Sequence, residues 1–206
     1  MTSNYPVVSI IGIAGTMGSA LAARLRRAGF VVHGYDPQLP ADGSYLHATA
    51  ADSVRASTIV ILAVPYTVEQ QIGGDLADVL SDHIIVSMTN PLTPTLDDVV
   101  TPDHDSAAEQ LARAIPHGRI VKALNTIGAA ALQHDASIMD TFVASDDREA
   151  AGVVETMITA IGFRPWYAGK LIYARTLERM TALIIGVSMR YKLSGAVGWS
   201  VMHEGL

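Results

Sequence analysis

The stretch Gly12-Ile13-Ala14-Gly15-Thr16-Met17-Gly18 constrains this chain more than any other. It follows an apolar run at 7–11 and opens an alanine-rich segment at 17–28, which Gly29 stops. A glycine turn between a buried strand and a helix is the first turn of a Rossmann-type βαβ unit. Gly12 lets the strand turn sharply, Gly15 admits a pyrophosphate close to the backbone, and Gly18 lets the helix pack on the strand. The helix start, with Ala14, Thr16 and Met17 around it, offers free N–H groups and partial positive charge to phosphates. The spacing is G-x-x-G-x-x-G, with Ile13 or Ala14 where the strict fingerprint has its middle glycine. An ordinary tight turn without a ligand is the plain alternative.

The second strand, 30–35, ends at Tyr35-Asp36, where an acid is expected in a dinucleotide site. A carboxylate there accepts hydrogen bonds from the adenosine ribose and repels a 2′-phosphate. Asp36-Pro37-Gln38 supplies no arginine or lysine, so NAD(H) is preferred over NADP(H). Asp36 opening a type I turn with Pro37 is the competing reading.

Beyond this unit, apolar runs of strand length alternate with helix-period segments. Strands are expected at 58–63, 84–88, 120–124, 141–144 and 163–167. Helices are expected at 68–80, 106–115, 147–161 and 174–193, with at most a short one at 51–56 and a proline-bearing loop at 89–105. Ser106 with Glu109 has the capping-box spacing. The fold class is therefore α/β, a doubly wound and mostly parallel sheet with a long C-terminal helix. A Rossmann domain over 1–168 leaves only 169–206, too little for a separate substrate domain. That segment is expected to complete a substrate pocket or a dimer interface.

Composition narrows the function classes. Half of the 206 residues are apolar and 17% are charged, which describes a globule with a large core. The start of the chain has no basic and apolar leader pattern, and the most apolar stretches, 58–65 and 182–189, are too short to span a bilayer. With no cysteine, a reducing cytoplasm is expected. Net charge is −6, and the only basic cluster, Arg24, Arg26 and Arg27, reads as a solvated helix face, so no nucleic-acid partner is expected. The seven histidines have no metal-ligand spacing, and no G-x-S-x-G elbow occurs.

Among polar candidates, Asn125 at a strand's carboxyl end suits a nicotinamide carboxamide or a substrate oxygen, and a turn asparagine is the alternative. Lys122 and His117 flank the fifth strand and are candidate proton donors; a half-buried lysine and a loop histidine are the bland readings. His33 reads as a core or edge histidine. Arg175 and Glu178 share a helix face, as an exposed pair or turned toward a pocket or dimer seam. Met180, Leu183, Ile184 and Val187 form an apolar stripe that points to a homodimer.

Several stretches together resemble a known family. They are Gly12 to Gly18 with Leu21-Ala22-Ala23-Arg24-Leu25, Ile61-Leu62-Ala63-Val64-Pro65-Tyr66, and Thr89-Asn90-Pro91-Leu92. They continue with Ser106-Ala107-Ala108-Glu109, Val121-Lys122-Ala123-Leu124-Asn125-Thr126, Ser145-Asp146-Asp147, and Ala168-Gly169-Lys170-Leu171 followed by Ala174-Arg175-Thr176-Leu177-Glu178. The chain is similar to the NADP oxidoreductases that use coenzyme F420, a deazaflavin, and to their dinucleotide-binding relatives. The resemblance implies hydride transfer between nicotinamide C4 and a second redox carrier stacked in a dry pocket. It implies that Ala63, Val64 and Pro65 line the cofactor and that Asn90-Pro91 and Asn125-Thr126 sit at the ligand edge. Ala168 to Leu171 and the terminal helix would face the second substrate. The family's NADP users carry a serine–arginine-like pair where this chain has Tyr35-Asp36, and the tail 189–206 matches nothing in the pattern. Two readings stay open: an NAD(P)-dependent oxidoreductase acting on a deazaflavin, flavin, imine or carbonyl, and a non-catalytic dinucleotide-binding module.

Overall fold

In the computed structural model, residues 5–133 and 139–204 are described; the first four residues and the last two of the tail lie outside them. The elements run β1 (Val8–Ile11), α1 (Thr16–Arg27), β2 (Val32–Tyr35), α2 (Ala50–Arg55), β3 (Ile59–Leu62), α3 (Tyr66–Asp75), α4 (Ala77–Leu80) and β4 (Ile84–Ser87). They continue with α5 (Ala107–Ala114), β5 (Arg119–Lys122), α6 (Ala129–Gln133), β6 (Asp140–Ala144), α7 (Arg148–Ala160), β7 (Arg164–Gly169) and α8 (Ala174–Tyr191). The sheet order is β2-β1-β3-β4-β5-β6-β7, parallel except where β6 meets β5. β1, β3 and β4 are buried along their whole length, as central parallel strands must be when helices cover both faces.

The alternating faces of these strands build two cores. Val8, Ile10, Ile61, Val86 and Val121 pack with Leu21 and Leu25 of α1 and Val154 and Ile158 of α7. Ile11, Val60, Leu62 and Ile85 pack on the other side with Val54, Leu80, Leu111 and Ile115. Local chemistry sets the helix ends. Thr49, Ser106 and Asp147 each accept a backbone N–H two or three residues into α2, α5 and α7, satisfying donors the helices leave open.

Three expectations are corrected and one element is new. The helix expected at 68–80 begins at Tyr66 and breaks at Leu76, behind the poor helix formers Gly73, Gly74 and Asp75. Gly73 is there for packing, because a Cβ on it would lie 2.9 Å from Leu111 Cδ1 of α5. Arg24 is not on a solvated face. It is buried, donating to the carbonyls of Ile161 (2.6 Å) and Ala131 (2.8 Å) with its guanidinium 4.5 Å from the Phe163 ring centroid. Arg175 and Glu178 do not pair with each other but with Glu109 and Lys122. The five-residue α6 was not foreseen, being too short to show a period.

The tail is also resolved into a role in the fold. Trp199 forms an antiparallel bridge to Asp140, whose carboxylate binds Arg164 at 2.5 Å and 2.8 Å and accepts from the Val201 amide. No helix among the described residues is long and apolar enough to cross a membrane.

The tightest approach in the fold is between α1 and the turn beneath it. A Cβ on Gly18 would fall 2.1 Å from the Gly12 carbonyl oxygen, whereas one on Gly152 in α7 would meet nothing closer than 3.6 Å. Gly18→Ala is expected to destabilise by at least about 3 kcal/mol, the upper end of ordinary overpacking. Gly152→Ala is expected to stabilise by up to about 1 kcal/mol. Urea midpoints at unchanged slope measure both.

Candidate functional site

The turn after β1 delivers α1 with its start uncapped. Gly15 is the N-cap, no side chain bonds to the first turn, and no acid lies in it. The chain folds back tightly, Gly15 N donating to the Gly12 carbonyl at 3.1 Å, so the first amides of α1 face outward. At the end of β2, Asp36 is held in place by two backbone donors, Ala14 N at 3.1 Å and Gln38 N at 3.0 Å. Each oxygen keeps a lone pair for a further donor. Sequence reasoning did not foresee Ile13 closing over Gly34 of β2, where a Cβ would lie 2.5 Å from Ile13 Cδ1.

Two cavities open along the carboxyl ends of the strands and meet at Gly15, Ala63, Val64 and Pro65. The smaller, about 600 Å³, is walled by Gly12, Ala14, Tyr35, Asp36, Gln38, Gln71 and Asp75. Among its described lining residues are two carboxylates and no arginine or lysine. The larger, about 630 Å³, is walled by Thr16 and Met17 of α1 and by Met88, Thr89 and Asn90 after β4. Leu124, Asn125, Thr126 and Ile127 after β5 join them, with Thr181, Ile184, Ile185, Ser188 and Met189 of α8. Leu193, Gly195 and Val197 of the tail complete it. Among its described lining residues none is ionisable.

Most of the residues singled out from sequence therefore converge on one crevice. Others do not reach it. Gly18 lies under α1, and Pro91 is buried beside the wall without lining it. His117 is exposed at the opposite end of β5, and His33 is tied to His47 at 2.7 Å on the sheet edge. Ala168 to Leu171 do not face the larger cavity: Gly169 pairs with Ala144, and Leu171 belongs to the core under α5. Lys122 is wholly buried, its ammonium 3.0 Å from Glu178 and donating to the Thr89 carbonyl, and it does not line the cavity.

Asn125 is both a strut and a candidate ligand. Its Nδ2 donates to the Leu177 carbonyl at 2.7 Å and to Asn90 Oδ1 at 2.9 Å, while its own carbonyl accepts from Thr181 Oγ1 at 3.1 Å. These bonds fix the amide's orientation and anchor α8. They leave Asn125 Oδ1 without a partner, and Thr126 Oγ1 likewise, with the residues only 4% and 3% exposed. Unsatisfied buried polar atoms are unusual in a folded chain. The uncapped α1 start and the Asp36 carboxylate border the smaller cavity, and Asn125 and Thr126 border the larger.

Comparison with known proteins agrees with this geometry. Residues 7–91 match the family described as NADP oxidoreductase, coenzyme F420-dependent. The F420-dependent NADP reductase of Methanocaldococcus jannaschii is 26% identical over 211 residues, covering 91% of this chain and 95% of that protein. The protein of the same name from Methanothermobacter thermautotrophicus is 27% identical over 213 residues, covering 92% of each. Among solved structures, one described as an F420-dependent NADP-reductase from Arthrobacter sp. FB24 superposes with a TM-score of 0.80. It shares 22% identity over 92% of this chain and 96% of its own, a likeness of fold. Glycine turn, sheet order and near-complete coverage by these relatives agree on one likeness: the chain has a Rossmann-like fold similar to that of F420-dependent NADP oxidoreductases, whose family model matches residues 7–91.

Proposed function

We propose that the chain is an NAD(P)H-dependent oxidoreductase that moves a hydride between nicotinamide C4 and a flat redox carrier of the deazaflavin or flavin class. The observation that carries this reading is the larger cavity, apolar and without an ionisable lining side chain among the described residues. Hydride transfer between two stacked rings needs a dry, well-positioned pocket and little acid–base help. Reduction of a carbonyl or imine is helped by an ionisable proton donor at the reacting atom, and the described lining of this wall holds only hydroxyls and amides. The names of the two archaeal relatives support the same class of carrier.

In this reading the amides of Thr16 and Met17 hold the diphosphate. Asp36 takes the adenosine ribose hydroxyls, and Asn125 Oδ1 with Thr126 Oγ1 takes a ring carboxamide. Val64, Pro65, Met88 and Ile127 exclude water. The nucleotide preferred is NAD(H), because a 2′-phosphate beside Asp36 and Asp75 would meet negative charge and no cation. Residues 169–206 finish the cavity. The outer half of α8, where Leu183 is 58% and Met189 66% exposed, is covered by a second copy of the chain.

Titrating NADH and NADPH into the protein while following nicotinamide fluorescence is expected to show both bound, NADH more tightly. Asp36→Arg should shift the affinity ratio toward NADPH by about tenfold, as repulsion gives way to a charge-assisted pair. An unchanged ratio would sink the specificity argument. Mixing NADH with a 5-deazaflavin or FMN under anaerobic conditions is expected to oxidise the nicotinamide. Binding without oxidation by any such carrier would make the chain a dinucleotide-binding module instead. Leu183→Glu should turn a dimer into a monomer by light scattering, and a wild-type monomer would overturn that part of the reading.

A further inference from the structure

A buried ion pair ties together two walls of the larger cavity. Lys122 at the end of β5 and Glu178 on α8 are each 0% exposed, with the ammonium 3.0 Å from Glu178 Oε1. The same ammonium donates to the Thr89 carbonyl and lies 3.5 Å from Ser87 Oγ. Thr89 lines the cavity after β4, and its hydroxyl donates at 3.2 Å to the carbonyl of Val64, which lines both cavities. At the other end of the pair, Glu178 accepts from the amides of Ala107 at 3.1 Å and Ala108 at 3.4 Å, at the start of α5. Thr181, one turn beyond Glu178 on the same face of α8, lines the cavity and donates to the Asn125 carbonyl at 3.1 Å.

A continuous path thus runs from Val64 through Thr89, Lys122 and Glu178 to α8. It joins the wall shared by the two cavities to the helix that closes the larger one. Both ions are away from water, so a shift of α8 that parts them leaves buried charge uncompensated, which costs far more than loosening an apolar contact. Apolar residues of the same volume often hold a fold as firmly as a buried pair does. What the pair adds is a single separation between the Thr89 segment and α8.

We propose that Lys122 and Glu178 are positioning residues for hydride transfer. Their ion pair sets the spacing between the Thr89 wall and α8, and so the distance at which two rings stack in the larger cavity. This rests on the reading of that cavity as the site of the nicotinamide and its redox partner. Neither side chain lines the cavity, so neither touches the reacting atoms. Transfer between rings depends steeply on alignment, a misplacement of about 1 Å costing about a hundredfold in rate. Dinucleotide affinity comes mainly from the α1 start and Asp36, on elements the pair does not join.

Lys122→Met combined with Glu178→Gln removes both charges and keeps an acceptor for the α5 amides. This double variant is expected to fold, with kcat for NADH oxidation by FMN or a 5-deazaflavin lowered about tenfold to a hundredfold. Its Kd for NADH should stay within about twofold of the wild type. Glu178→Gln alone, as a second variant, should show the same split. A folded variant that keeps the wild-type kcat means the pair only holds the fold, and the proposal is overturned. Equal losses in kcat and NADH affinity, or failure of both variants to fold, overturn it as well. In the double variant without nucleotide, amides of 88–90 and of α8 should exchange hydrogen at least about tenfold faster, those of α1 staying within about twofold. If the wild type oxidises no NADH, the oxidoreductase reading fails. Exchange in these two segments then still decides whether the pair sets their spacing, and unchanged exchange there overturns the proposal.

Discussion

The close approach of α1 to the turn after β1 is the contact on which the rest depends. Gly18 sits so near the Gly12 carbonyl that no side chain fits between them. That contact aims the start of the helix at the carboxyl ends of the strands, where its first amides have no partner in the chain. The same turn brings Ala14 N to Asp36, so the start of α1 and the carboxylate at the end of β2 are positioned by one backbone path. The crevice is a consequence of helix–sheet packing, with few polar side chains devoted to it.

A second constraint fixes the long C-terminal helix. α8 crosses the open end of the sheet and is fastened by charge and amide contacts instead of a large apolar interface. Arg175 forks onto Glu109 at 2.8 Å and 2.6 Å, Glu178 joins Lys122 to the start of α5, and Asn125 bonds to Leu177 and Thr181. These anchors lie in the first half of α8; its second half walls the larger cavity with Ile184, Ile185 and Ser188 and leaves Leu183 and much of Met189 exposed. Polar contacts of this kind specify one position for an element, because a shifted position would leave the buried Lys122–Glu178 pair broken.

The fold was largely legible in the chain, for reasons that lie in particular residues. Apolar runs such as 58–63 have few alternatives to a central strand, and Ser106 with Glu109 marked the start of α5. The glycine triplet and the acid after β2 located one half of the site because backbone geometry demands those residue types at those places. The break at Leu76 and the turn of helix at Ala129–Gln133 were not legible, since each depends on what packs against it. Arg24 was misread for the same reason: its three carbonyl acceptors lie more than a hundred residues away in the chain.

What the sequence by itself determined is the set of local commitments: strands of one period, helices of another, a turn only glycine can make, and a carboxylate at the end of β2. Only the tertiary structure decided which of the remaining polar residues do chemistry-bearing work and which do structural work. Lys122 and Asn125 look alike in the sequence, both polar at the end of β5. Folding turns the Lys122 side chain inward to a carboxylate on α8, while Asn125 keeps an unpartnered oxygen at the cavity wall. That difference arises from groups brought together from α5 and α8, and burial energies depend on those neighbours rather than on adjacent residues in the chain.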